Sequence, residues 1–142
     1  MTIVQLSIFI ENRSGTLIKV LEVLKEAKIQ IIASTIADTA EYGIYRLICS
    51  EPQRACEELK RAGVPVSLSN VFALELDNQP GCAAEAIETF SRANISISYM
   101  YSFLLGDKGI LVFRTDNAEQ ARQTILENKL RYISEPDLSK LI

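Results

Sequence analysis

The chain has 142 residues, 48% of them hydrophobic and 23% charged, and 15 Lys+Arg against 18 Asp+Glu leave a net charge of −3. It contains no histidine, which excludes a Ser-His-Asp triad, a Cys-His pair, histidine metal ligation and an imidazole proton shuttle. This is the composition of a folded globular protein, and without a basic footprint no nucleic-acid partner is expected.

In chain order, Met1-Thr2-Ile3-Val4-Gln5 lacks the basic and apolar regions of a secretory signal. Val4, Leu6, Ile8 and Ile10 then alternate with Gln5, Ser7 and Phe9, the two-residue period of a strand. After Gly15 the period becomes helical, with Leu17, Val20, Leu21, Leu24 and Ala27 on one stripe. Ile29, Ile31 and Ala33 return to alternation, and a further strand is expected at 43–49. Ser50-Glu51-Pro52-Gln53 offers a Ser N-cap with Gln three residues on, and Gly63 a C-terminal stop. Val64-Pro65-Val66 begins a last strand.

The second half repeats the first at an offset of 81 − 15 = 66 residues, read from Gly15 and Gly81. Glu11-Asn12-Arg13-Ser14-Gly15 lies over Asp77-Asn78-Gln79-Pro80-Gly81, and Ala27-Lys28-Ile29-Gln30-Ile31 over Ala93-Asn94-Ile95-Ser96-Ile97. Identities are few, but residue class agrees: Leu6/Phe72, Ile8/Leu74, Leu24/Phe90, Leu47/Phe113 and Leu59/Ile125 are apolar in both copies. Asp116-Asn117-Ala118-Glu119 gives the second copy its own capping-box spacing. Each unit reads strand–helix–strand–strand–helix–strand. The expected fold class is therefore α+β, two tandem ferredoxin-like βαββαβ domains with antiparallel sheets and both helices on one face. The expected domains are residues 1–68 and 69–142, the latter ending in a short tail from Glu135. Ser67-Leu68-Ser69-Asn70 is the only joint. Ile32, Ile44 and Ile48, with Met100, Ile110 and Val112, are expected on the sheet face away from the helices. An apolar face of that kind calls for cover by the other domain or by a second chain.

The longest charge-free run, Ala93 to Gly106, is too short to span a bilayer. Cys49, Cys56 and Cys82 form no CxxC and read as buried, reduced thiols of a cytoplasmic protein. Glu57-Glu58 and Glu85/Glu88 fall on predicted helices among solvated charges, uncoupled to any nucleophile. Tyr99, Tyr101 and Phe103 share a strand face, but basic residues are not interleaved with them, as stacking on nucleic acid would need. The remaining candidate is the turn that feeds the first helix of each unit. Its glycine can adopt positive φ, the helix N–H groups suit a carboxylate, and Asn12 or Asn78 can both donate and accept. An Asx-type cap with no ligand fits the same spacing.

A repeated unit of this kind, with Asp77-Asn78-Gln79-Pro80-Gly81 entering a helix and Ala93-Asn94-Ile95-Ser96-Ile97 opening strand two, resembles the ACT domain, a family of small amino-acid-binding regulatory modules. The first unit departs by carrying Ser14 where proline is usual. The resemblance implies a ligand held at a domain interface between the strand-one/helix-one loop and an adjoining strand two. Carried onto this sequence, the loop positions are Asn12, Arg13, Ser14 and Gly15, and Asn78, Gln79, Pro80 and Gly81. The strand-two positions are Ile31, Ile32 and Ser34, and Ile97, Ser98 and Met100. Ser98 and Met100 are expected to share a face and line one wall.

The expected protein is a non-catalytic cytoplasmic sensor of a free amino acid or similar small carboxylate, regulating amino-acid metabolism through a separate target enzyme. It is expected to be a homodimer, with no catalytic residue, metal, cofactor, nucleic acid or membrane contact. An assembly module in which both loops serve only as caps, and a small histidine-free enzyme, are the alternatives.

Overall fold

The computed structural model describes residues 1–11, 15–38 and 42–142, with only the backbone of Asp38. The chain divides into two compact units, one of Val4–Asn70 and one of Met1–Ile3 with Val71–Ile142. The division differs from the expected 68/69 boundary because long strands cross it. The supposed joint, residues 67–70, is itself strand, and Met1–Ile3 go with the second unit, where the Met1 carbonyl accepts from Ala73 N–H at 3.1 Å.

In the first unit, β1 (Thr2–Glu11), α1 (Thr16–Glu26), β2 (Ile31–Asp38), β3 (Tyr42–Cys49) and α2 (Pro52–Arg61) lead into β4 (Val66–Asp77). The sheet runs β2-β3-β1, with antiparallel pairs such as Leu6↔Leu47 and Ile8↔Tyr45. Phe9 N–H donates to the Pro65 carbonyl at 3.1 Å, bringing the segment that enters β4 alongside β1. Leu6, Ile8, Ile10, Leu47 and Cys49 point to one face and pack on Val20 and Leu24 of α1 and Ala55 and Leu59 of α2. That packing is the payoff of the two-residue and helical periods read in the sequence.

The second unit repeats the plan with β4, α3 (Cys82–Arg92), β5 (Ile97–Leu105), β6 (Lys108–Thr115) and α4 (Ala118–Glu127). Its sheet runs β5-β6-β4. The fourth strand is reduced to residues 131–133: Leu74 bridges Tyr132, Glu75 N–H donates to Arg131 O at 3.0 Å, and Ile133 N–H to Ala73 O at 3.1 Å. Phe72, Leu74, Leu111 and Phe113 meet Phe90 of α3 and Ile125 of α4 in its core. Phe113 stacks on Phe72 at 5.3 Å between ring centroids and tilts against Phe90 at 4.8 Å.

The tail from Glu135 is a helix, α5 (Glu135–Leu141), closed by a capping box between Ser134 and Asp137, and its Leu138 is buried. Leu141 lines a cavity with Glu75, Leu105 and Ile110. Register places Glu75 and Ile110 opposite each other on the side away from α3 and α4, so α5 reaches the face that the repeat leaves without a helix.

Of the residues expected on that far face, Ile48 pairs with Ala33, Ile44 with Phe9 and Ala37, and Ile110 and Val112 with Glu75 and Ala73. Met100 does not belong there. It pairs with Phe113 and so faces the helix side, where it stays half exposed on the edge strand β5. The register of β5 shifts between Ile97 and Tyr99, and this irregularity reverses the alternation that the sequence implied.

Candidate functional site

Both strand-to-helix turns end in a glycine at the N-cap, Gly15 with φ 92° and Gly81 with φ 91°. That backbone region is easy only for glycine, and nothing lies within 4 Å of where a Cβ would sit at either position. Glycine is needed here for conformation and not for space. In the second unit, Gln79 N–H donates to the Asp77 carbonyl at 2.8 Å, closing the turn tightly before α3.

Asn78 and Gln79 line a cavity of about 280 Å³ together with Ser102 and Leu104 of β5 and Gly109 of β6. Its floor follows from the register. Gly109 sits in one row between Leu76 and Leu104 and contributes no side chain, leaving a gap between its neighbours. A Cβ there would meet the Leu76 carbonyl at 3.5 Å, an ordinary contact. Asn78, Gln79 and Ser102 thus supply donors and acceptors to a site whose floor is apolar, a composition suited to a small polar molecule with an aliphatic part.

Pro80 and Gly81 shape this loop but do not line the cavity, and neither do Ile97, Ser98 or Met100. The loop meets strand two further along than the resemblance implies, at Ser102 and Leu104. Ser98 falls in the register shift, so the pleat does not fix it to the face of Met100. In the first unit, Gly15 occupies the N-cap, Ile31 and Ser34 are exposed and Ile32 is half-buried. Asn12, Arg13 and Ser14 lie outside the described residues.

Beside the loop, Asp77 accepts a hydrogen bond from Arg131 Nη2 at 2.8 Å and stands 3.6 Å from Lys108 Nζ. The Arg131 hydrogen bond, reinforced by its charge, holds the Asp77 carboxyl below its ordinary range, and the same bond raises Arg131. Arg131 went unnoticed in the sequence because its first-unit equivalent is Pro65. Glu58 and Glu88 are bound to Arg61 and Arg92 on exposed helix faces, each at 2.8 Å, as solvated charges. Among the described residues no cluster of metal-ligating side chains occurs and no helix is long and apolar enough to cross a membrane. Cys49 and Cys56 are buried free thiols, whereas Cys82 is only half-buried, at the start of α3.

Residues 1–142 match a family model described as an ACT domain pair. The chain is similar to the crystal structure of protein BT0572 from Bacteroides thetaiotaomicron, at 36% identity and a TM-score of 0.91, covering 99% of this chain and 97% of that one. It is also similar to the ligand-free regulatory subunit of aspartate kinase from Thermus thermophilus, at 16% identity and a TM-score of 0.61, covering 87% of this chain and 91% of that one. The corresponding subunit from Thermus flavus has 17% identity and a TM-score of 0.58, with 87% and 90% covered. At the two lower identities the likeness is one of fold. No curated protein matches the chain.

Proposed function

The chain belongs to the ACT domain family, and on that premise we propose that it binds a free amino acid or similar small carboxylate without transforming it. The supporting observation is the cavity in which Asn78 and Gln79, at the turn entering α3, meet Ser102 across the gap left by Gly109. Its size and its few polar groups over an apolar floor suit an amino acid. The N-terminus of α3 follows this loop, with the Cys82 N–H donating to the Gln79 carbonyl at 3.4 Å, and a helix N-terminus favours a carboxylate.

The reading includes a homodimer and a separate target enzyme of amino-acid metabolism, in the cytoplasm. Binding would become a signal by favouring one packing of chains over another, which requires the ligand to bind the two arrangements with different affinity. The reading assigns no catalytic step, and Asp77 beside the loop is engaged by Arg131.

The test is a thermal-shift and calorimetric titration of the full chain with each of the twenty amino acids. One or a few should raise the melting temperature in a saturable way. Gly109→Val should remove that response by filling the floor while leaving the unliganded fold intact. A titration in which no amino acid shifts the midpoint, or in which Gly109→Val binds as well as the parent, overturns the reading.

A further inference from the structure

Among the described residues that line the cavity at the turn entering α3, Asp77 alone is charged. It follows Leu76, which packs on the core beneath the helices, so by alternation it faces the other side of the sheet. There Arg131 Nη2 donates to it at 2.8 Å and Lys108 Nζ stands 3.6 Å away. A charged ligand side chain in this cavity would give up hydration with no counter-ion to replace it. Asn78, Gln79 and Ser102 suit the ammonium and carboxylate that every free amino acid carries. The ligand's side chain is left to the aliphatic part of the lining.

That part is a slot. Leu76, Gly109 and Leu104 lie in one row across β4, β6 and β5 on the helix side of the sheet. Neighbouring strands stand ~4.8 Å apart, so the two leucines flank a gap the width of one missing side chain. Among the described residues, a Cβ on Gly109 would have only Leu76 within 4 Å, its carbonyl oxygen at 3.5 Å and its Cβ at 3.8 Å. Ser102, on the same side of β5, does not reach over the gap.

The first unit shows what fits over such a glycine. At the offset of 66, Gly109 corresponds to Gly43, Leu76 to Ile10 and Ser102 to Ile36. The registers coincide: Ile10 pairs with Gly43 as Leu76 does with Gly109, and Ile36 with Tyr45 as Ser102 does with Leu111. The Ile36 Cγ2 methyl lies 3.6 Å from where a Cβ on Gly43 would sit. A branched aliphatic side chain of the protein itself thus covers, in the first unit, the space that Ser102 leaves open in the second.

We propose that the second-unit cavity selects a neutral amino acid with a branched aliphatic side chain, seated over Gly109 between Leu76 and Leu104, and that Ser102 sets this selectivity by leaving the slot open. The inference rests on the amino-acid-binding reading above and adds the class of ligand to it. A branched aliphatic chain in the slot takes its own apolar surface and that of both leucines out of water, which an alanine or serine ligand is too short to do. A planar ring is broader than one aliphatic side chain and does not enter.

The experiment is calorimetric titration of the full chain with all twenty amino acids. Leucine, isoleucine or valine should bind saturably and about tenfold more tightly than alanine, lysine, glutamate or phenylalanine, a ratio worth about two buried methylene groups. Ser102→Ile, which copies the first unit, should weaken the preferred ligand by about tenfold or more, with far-ultraviolet dichroism reporting the fold. Gly109→Ala adds a Cβ that makes only ordinary contacts. By raising the floor it should also weaken the preferred ligand, which keeps the selectivity measurable if Ser102→Ile does not fold. Unchanged affinity in folded Ser102→Ile or in Gly109→Ala overturns the proposal. A tightest ligand outside the branched aliphatic class, whose binding Gly109→Val removes, overturns it too and leaves the amino-acid-binding reading standing. If Gly109→Val leaves binding intact, or if no amino acid binds, both fall.

Discussion

Arg131 and Asp77 stand 54 positions apart in sequence and 2.8 Å apart in space, joining the last residue of β4 to the short strand that returns to pair with it. The arginine holds the Asp77 carboxyl below its ordinary range. A carboxyl depressed in the folded state favours folding above its unfolded pKa, near ~3.9, and that contribution fades as pH falls through the lower folded value. Arg131→Gln should therefore move the Asp77 titration upward when followed by carboxyl carbon shifts. The stability gap between the parent and this variant should be present at neutral pH and close under strongly acidic conditions. Both side chains are half exposed, so added salt should narrow the gap as well.

Gly81 and Lys28 make opposite predictions from the same backbone region. Gly81 has φ 91° with open space around it, so Gly81→Ala should cost about 1–2 kcal/mol from conformation alone. Lys28 has φ 59° just past α1, where a side chain is strained, and Lys28→Gly should stabilise by about 0.5–1 kcal/mol. Urea unfolding of the two variants checks both signs. Loss of stability in Lys28→Gly would contradict the assigned helix ending.

Much of this architecture was legible because its signals are periodic and occur twice. Leu6, Ile8, Val20 and Leu24 fall where the alternating and helical periods place them, and Phe72, Leu74, Ala86 and Phe90 do the same in the copy. Single-residue signals travelled less well. Ser50 has the spacing of a helix cap, yet its Oγ accepts from Gln30 N–H at 3.0 Å and Glu51 takes the N-cap position. The cap of α4 sits one residue later than its spacing suggested, on Asn117 instead of Asp116, and it is not a reciprocal box, since the Asn117 N–H donates to Thr115 Oγ1 and Gln120 Oε1 accepts from the Asn117 side chain. Helix α5 was missed although Ser134-Glu135-Pro136-Asp137 spells out its cap, because no counterpart in the first unit drew attention to it. Only part of the candidate site was readable. The loop positions Asn78 and Gln79 follow from the turn, but Ser102 depends on a register shift and the floor on one glycine row, both long-range consequences of pairing.

The displaced caps can be separated by mutation. Asn117 Oδ1 accepts from Gln120 N–H at 3.2 Å, so Asn117→Ala should cost about 1 kcal/mol. Asp116→Ala, one residue earlier, should change stability by only a few tenths of a kcal/mol, as surface substitutions away from such features do. Thermal unfolding of the pair decides the assignment, and a larger effect at Asp116 would restore the cap position expected from spacing.

Phe90 and Met100 test how the helix side of the second unit is filled. Phe90 is fully buried and its ring lies 4.8 Å from that of Phe113. Phe90→Ala should cost about 3–5 kcal/mol, combining lost transfer energy with the cavity left behind. Met100 is register partner to the same Phe113 but is 49% exposed. Its truncation to alanine should cost well under half as much, because water already reaches much of the side chain and no closed void would form. The comparison is made by urea unfolding at one temperature, using the midpoint and the slope together. If Met100→Ala proved as damaging as Phe90→Ala, Met100 would have to be covered in solution by another surface, such as a second copy of the chain. The same loss of stability would then depend on protein concentration, which a dilution series would reveal.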